Sequence, residues 1–442
     1  MINQKLLQRF KDDYNQNPYN HISENAIKKV GIKNASFNNN LDAKHPFLFS
    51  LETSRGKITN QKKSGRCWMF AALNTARIEV MNKLNLDTFE FSQNYPLFYD
   101  KLEKSNYFLE SILETLDEKT DSRLIMHLLK SPVEDGGQWD MFAGLLKKYG
   151  AVPKSVMPES FHSSDTLDMR NIITSKLREY ACSLRQAHKN NTPIETLYAM
   201  KEEMLSHIYS ILVKCLGPVP ETFDFEYRDK NNKFHRIENI TPQQFFNEYV
   251  GWNLDDKVSL INAPTADKPY YRAYTVKYLG SVKEANPICY INVTSEELKE
   301  ATIKMLKDNK PVWFGCDVGQ QSARDLGYLD AHCFEYEKTL NEGIKLNKAQ
   351  RLEYGESLLT HAMVFTGVNL DKDGNPITWQ VENSWGDAVG SKGIFSMSDE
   401  WFDEYNYQVL IDKKYLSSKI LNALEQPIIE LEPWDPMGSL AK

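Results

Sequence analysis

The chain lacks any uninterrupted apolar run approaching the ~18 residues that a membrane-spanning helix requires. Its N-terminal stretch, MINQKLLQRFKDDYNQN, has no apolar core of the kind a secretory signal carries. An excess of positive charge is also missing. The formal net charge is −7, which argues against nucleic acid as the main partner, since phosphate binding needs a basic face. Paired cysteines are absent too. The six cysteines, at 67, 182, 215, 289, 316 and 333, are scattered and form no CxxC motif. In a large chain without a secretory signal they read as free thiols, not as a disulfide framework. Internal repeats and low-complexity tracts are absent as well. These absences point to a cytosolic globular protein with no membrane segment and with nucleic acid an unlikely main partner.

What is present is ordinary in bulk and specific in detail. The 442 residues are 41% hydrophobic and 26% charged, enough for a sizeable core and for two or three structural units at roughly 100–200 residues each. Residues 1–60 read as a helical arm. Leu6, Leu7, Phe10 and Tyr14 recur at helical spacing, and Ser23 is the N-cap expected for a second short helix. Helices are predicted over 67–84, 95–116 and 139–149, with Gly150 ending the last. A charged helical stretch at 165–217 stops at Gly217-Pro218, and Thr241-Pro242 signals a further start. After about 256 the character changes. Runs rich in β-formers follow (VSLINA, YTVKYL, ICYINV, VWFGCDV), interrupted by one helix near 295–308 whose capping box is Thr294 with Glu297. HAMVFTGV and ITWQVENSW are joined by the turn DKDGN. A helix-rich front half and a strand-rich back half make an α+β fold. The last dozen residues, LEPWDPMGSLAK, read as an extended, unpacked arm.

One cysteine has a distinctive neighbourhood. In Gln61-Lys-Lys-Ser-Gly-Arg-Cys67-Trp68 the glycine permits a sharp turn, and the helix starts at Cys67. A helix N-terminus, with Lys62, Lys63 and Arg66 nearby, favours thiolate over thiol and so a nucleophile. Gln61 is placed to donate a hydrogen bond to an oxyanion, with the Cys67 N–H as second donor. The test of this reading is a base and an orienting group. His361 begins one strand and Asn383 lies near the end of the next. Pairing centred on 373 sets 361 opposite 385. Asn383 is then a diagonal neighbour on the same face, and Trp385 can shield their bond from water. A turn centred between Asp373 and Gly374 would put His361 and Asn383 on opposite faces. An imidazole exchanges a proton with the thiol, and an amide oxygen holds its other nitrogen. His332, beside Cys333, has no second ligand at metal spacing, so no metal site and no cofactor are expected.

Ser64-Gly-Arg-Cys67-Trp68 resembles the active-site segment of papain-like cysteine peptidases, usually C-G-[SA]-C-[WY]. Here Ser64 replaces the first cysteine and Arg66 replaces Ser or Ala. Roughly 300 residues separate Cys67 from His361, against roughly 130–150 in simple members, so on the order of 150 residues are inserted. QKKSGRCWMFAALN, EDGGQWDM and EPWDPMGSLAK are similar to the branch containing bleomycin hydrolase and bacterial aminopeptidase C. The resemblance covers essentially the whole chain. It implies a two-lobed papain-like core with large helical insertions. The arm would be 1–60, the lobe with Cys67 61–160, a helical insertion 161–255, the lobe with His361 and Asn383 256–425, and a C-terminal arm in the cleft 426–442. It implies catalytic Cys67, His361, Asn383 and Gln61, with Gly136 and Gly137 pairing to substrate backbone. Trp385 and Ala441 complete the expected substrate-binding residues. It also implies a homohexamer with active sites facing a channel, peptide substrates, and a terminal carboxylate that receives the substrate's free amino group. A terminal lysine would put a cation there, so Lys442 is expected to be trimmed, leaving Ala441. Three other readings compete: an endopeptidase or dipeptidyl peptidase, a nucleic-acid-binding or scaffold protein with a relic site, and an acyl transferase.

Overall fold

The computed structural model describes residues 1–441. Its organising element is the helix Cys67–Lys83, whose residues from Cys67 to Ile78 are all buried. A helix buried on every side cannot lie on a surface, and this one is enclosed between two layers. Strand His361–Leu370 packs across it from one side. The strand is buried on both faces: Ala362 and Val364 join the core around the helix, while Met363 and Phe365 join a second core behind the sheet.

That strand belongs to a twelve-stranded sheet. From one edge the order runs Ile429–Leu431, Ala273–Val276, Tyr290–Asn292, Lys257–Ile261, Asn406–Asp412, Val312–Cys316, His361–Leu370, Pro376–Glu382 and Ile394–Ser398. Short strands Tyr328–Leu329 and Ser322–Ala323 follow, and Leu51–Glu52 pairs beside His361–Leu370. On the other side of Cys67–Lys83 lie the helices Asn94–Glu114, Trp139–Tyr149, Leu167–Lys189 and Ile194–Leu216. The helical and strand-rich halves meet along the helix Cys67–Lys83.

The helix spans agree closely with the sequence patterns, including the Thr294–Glu297 capping box and Gly150 at φ +71°. Four details differ. Ser23 is not a cap: its helix starts at Tyr19, where the Asn17 side chain accepts from the Tyr19 N–H, and runs to Val30. The 37–60 segment is not helical, and Leu51–Glu52 joins the strand-rich sheet. The insertion carries a β-hairpin, Phe223–Arg228 with Phe234–Ile240, that the helical reading passed over. The C-terminal arm is extended but packed: Ile429–Leu431 pairs with Tyr274–Val276, and Leu431, Met437 and Ala441 are buried. No helix among the described residues is long and apolar enough to cross a membrane.

Candidate active site

Cys67 is the first residue of its helix, and none of its surface is exposed. The loop ahead of it is held from the glycine segment opposite. The Gly65 N–H donates to Asp135 Oδ2 at 3.3 Å, and Trp68 Nε1 donates to the Asp135 carbonyl at 2.8 Å. The Ala362 N–H, at the start of its strand, donates to Cys67 Sγ at 3.4 Å. Burial pushes the Cys67 thiol up to about 12, and the N–H groups of Ala362, Trp68 and Cys67 offset this only partly. The basic residues that the sequence offered as thiolate-stabilising do not act as expected. The Arg66 guanidinium is buried and bonds both oxygens of Glu159 at 3.0 and 2.8 Å, so its charge is neutralised in place. Lys62 and Lys63 are exposed, and Lys63 Nζ lies 3.8 Å from Asp165. Screened surface charges contribute little to a buried group. A thiolate at this position therefore needs a cation at contact distance.

His361, one residue before Ala362, is the available cation. Its Nε2 lies 3.0 Å from Asn383 Oδ1, and both side chains are buried. The Ser384 N–H donates to the same Oδ1 at 2.8 Å. A backbone N–H can only donate, so that atom is the amide oxygen, and His361 Nε2 must carry a hydrogen. In the neutral ring the lone pair is then on Nδ1. Trp385 lies against the ring, 4.8 Å between centroids, and the Arg324 guanidinium stacks over Trp385 at 4.3 Å. Trp385, expected from sequence among the substrate-binding residues, thus packs on the histidine. Replacing Asn383 by alanine removes the acceptor that fixes the His361 Nε2 hydrogen and with it the tautomer. It is expected to lower kcat/KM by about 10–100-fold, the scale seen when a group that orients a metal-binding histidine is lost. Steady-state kinetics on an aminoacyl amide, with circular dichroism as a folding control, checks this.

The His361–Asn383 contact depends on register. Around Asp373, Leu370 pairs with Pro376. One step on, Asn369, Val368 and Gly367 pair with Thr378, Trp379 and Gln380, the register that would put the two residues on opposite faces. A bulge at Thr366 cancels the slip, so Phe365 pairs with Val381 and Val364 with Glu382. The Thr366 carbonyl accepts from the Thr53 N–H at 2.8 Å, which holds the bulge in place.

Gln61 Nε2 donates to the Ser64 carbonyl at 2.7 Å, while its Oε1 accepts from Ser384 Oγ at 2.7 Å. The carbonyl only accepts, which settles the amide orientation and leaves one amide hydrogen for another acceptor. Ser384, beside Asn383, ties the glutamine to the orienting residue; nothing in the sequence marked it beyond that adjacency.

Gly136 and Gly137 form the opposite wall. Lys104 Nζ donates to the Gly136 carbonyl at 2.6 Å. A Cβ on Gly137 would lie 2.6 Å from the Trp68 indole, so only glycine fits there. The Gly137 N–H donates to the Ala441 carbonyl at 3.1 Å. The arm is further held by Gln138 Nε2 on the Ser439 carbonyl and by Ser439 Oγ on the Leu359 carbonyl, both at 2.6 Å. All eight residues expected from sequence are therefore placed: Cys67, His361, Asn383, Gln61 and Trp385 around the thiol, and Gly136, Gly137 and Ala441 along the facing edge. The expected trimming of Lys442 lies outside the described residues. No group of three or more His, Cys, Asp or Glu among the described residues could hold a metal ion.

The chain as a whole is similar to known proteins. The model of the peptidase C1-like family matches residues 1–438. Aminopeptidase C of Listeria monocytogenes is 47% identical over 435 residues, covering 98% of each chain. Bleomycin hydrolase of Gallus gallus is 45% identical, covering 87% of this chain and 86% of its own. The crystal structure of PepW from Lactobacillus rhamnosis superposes with a TM-score of 0.98 at 46% identity, covering 100% of this chain and 99% of that one.

Proposed function

Because this chain belongs to the peptidase C1-like family, we propose that its chemistry is run by Cys67, with His361 as proton partner and Asn383 as the group that orients it. The fold is papain-like and α+β, and the enzyme is a cysteine aminopeptidase. The observation that carries the residue roles is the Ala362 N–H on Cys67 Sγ, because it sets His361, one residue earlier, beside the thiol.

The steps follow from the geometry. The thiol proton passes to His361 Nδ1, and the resulting imidazolium compensates a thiolate that burial alone would forbid. Sγ attacks the carbonyl carbon, forming a C–S bond while the carbonyl oxygen takes the negative charge. The spare Gln61 amide hydrogen and the Cys67 N–H receive that oxygen. The imidazolium gives its proton to the leaving amine as the C–N bond breaks. Water, deprotonated by His361, then splits the thioester and returns the free thiol.

The arm decides where the cut falls. Residues 439–441 occupy the Gly137 edge along which a longer substrate chain would pair. Only the amino-terminal residue then fits between the arm and Cys67, and the arm's end is assigned to receive its ammonium. Deleting 438–442 is expected to open the edge and allow cleavage of N-acetylated peptides. Unchanged dependence on a free amine would overturn the role of the arm.

The finer readings are a cytoplasmic location, supported by six unpaired cysteines, and a homohexamer. The helices Gln4–Gln16 and Tyr19–Val30 bury none of their residues, and Leu7, Phe10, Tyr14, Tyr19 and Ile22 are exposed. Helices this short need a covering partner to hold an apolar stripe in water. Further copies of the chain supply it in this reading, and sedimentation velocity with and without residues 1–36 tests the assembly.

A further inference from the structure

The arm reaches Gly137 from a distance, and something must fix its aim. From the strand Ile429–Leu431 the chain turns at Glu432, whose carbonyl accepts from the Asp435 N–H at 2.9 Å. The two oxygens of Asp435 then do different things. Oδ1 accepts from the Met437 N–H at 2.8 Å and so caps the single turn Pro436–Gly438. Oδ2 lies 2.8 Å from Lys268 Nζ. After that turn Ser439 and Ala441 enter the cleft. Lys268 is almost wholly buried, and its loop is fixed to the sheet: Asn292 Nδ2 donates to both the Lys268 and Ala263 carbonyls, at 2.7 and 2.9 Å. A rigid path therefore runs from the strand Tyr290–Asn292 through Lys268 and Asp435 to the last residues of the arm. Tyr290 of that strand also reaches the arm, its hydroxyl donating to the Met437 carbonyl at 3.4 Å.

We infer that the Lys268–Asp435 ion pair is the pin that sets the arm's reach, and hence the enzyme's preference for substrates with a free amino terminus. The inference rests on the arm acting as a stop, as proposed above. Lys268 is a positioning residue: it touches neither Cys67 nor the glycine edge. The pair is asymmetric. Without Asp435, Lys268 still has Asp267 at 2.7 Å. Without Lys268, the Asp435 carboxylate stays largely buried with no cation, and leaving the docked position restores its hydration. Breaking one side of a buried pair is strongly unfavourable, so the loss falls on docking of the arm.

The test compares kcat/KM for an aminoacyl fluorogenic amide and its N-acetylated twin in the full-length wild type, Lys268→Met, Asp435→Asn and the 438–442 deletion. Reactive thiol is counted by iodoacetamide in each. Lys268→Met is expected to raise the acetylated-to-free ratio by about tenfold or more, toward that of the deletion, with thiol content unchanged. Asp435→Asn keeps the cap on Met437 and is expected to move the ratio the same way by less. A fold that lost packing without losing the pin would lower both rates together and leave the ratio alone. If the deletion raises the ratio and both point variants leave it at the wild-type value, the pin is overturned while the stop stands. An unchanged ratio in the deletion overturns both. Should Lys268→Met lose thiol content, Asp435→Asn decides alone.

Discussion

Cys67→Ala is expected to lower the rate of peptide hydrolysis by about 10⁵–10⁶-fold, since removing the nucleophile of a triad costs as much as removing all of it. The change takes one sulfur from a buried site that alanine already resembles in size, so the protein should fold normally. Adding His361→Ala to Cys67→Ala should cost little more, because the two groups act as a unit. The single variant His361→Ala is the more informative. Burial, offset only in part by three backbone N–H groups, pushes the thiol up to about 12, and the nearby cations are either paired, as Arg66 is with Glu159, or exposed. The thiolate near neutral pH is therefore attributed to the imidazolium. Alkylation by iodoacetamide should proceed near neutrality in the wild type. In His361→Ala it should appear only at strongly alkaline pH, moving toward that value. Equal alkylation profiles would mean that the helix N-terminus and surface lysines suffice.

Arg77→Met is expected to give the largest loss of stability. Arg77 lies on the helix that Cys67 begins, and its Nη2 is 2.6 Å from Glu382 Oε1, with both side chains buried. Glu382 immediately precedes Asn383, so the pair joins the elements that carry the thiol and the orienting amide. Breaking a buried pair by removing one partner costs about 3–5 kcal/mol. Burial already pushes the Glu382 carboxyl above its ordinary value, with Arg77 and then Arg55 pulling it back. Removing Arg77 pushes it higher. A group raised in the folded state favours folding while protonated, and that contribution is lost as pH rises through its folded value. The deficit of Arg77→Met should therefore be greatest at neutral and alkaline pH and shrink as pH falls and Glu382 takes up its proton. Thermal midpoints of both proteins across a pH series check this. A deficit that stayed constant with pH would mean that lost packing, not an uncompensated carboxylate, is responsible.

The legible parts of this molecule are those written in local pattern. The all-apolar run after Cys67 could only be an enclosed helix, and the glycine before it marked the turn that presents the thiol. Cysteine, histidine and asparagine in suitable contexts point to Cys67, His361 and Asn383 in the sequence, and the structure pairs His361 with Asn383 and sets the Ala362 N–H on Cys67 Sγ. His361 and Asn383 are neighbours by a path the sequence does not reveal: a slip beyond Leu370 and a bulge at Thr366 cancel. Bulges follow from what the sheet packs against, here the Thr53 segment, and leave no mark in hydrophobic alternation. The electrostatics were the least legible. Lys62, Lys63 and Arg66 look alike as a basic run, yet only Arg66 is buried, and it is neutralised by Glu159, more than 90 residues away. The same holds for Lys104 under Gly136 and for Lys268 under the arm. A buried lysine is an exception that composition cannot announce, because its partner is chosen by tertiary structure. The arm's packing was missed for a related reason. Its prolines and glycine signal an extended chain, but whether such a chain lies on a surface or in a cleft depends on the groove that receives it.

The central claim is a buried thiol acting on peptides whose amino terminus is free. The most direct test is hydrolysis of an aminoacyl fluorogenic amide beside its N-acetylated twin, before and after alkylation by iodoacetamide. Cleavage of the free-amine substrate only, abolished by alkylation and by Cys67→Ala, is the expected result. Cleavage that survives alkylation, or equal rates on the two substrates, would contradict it.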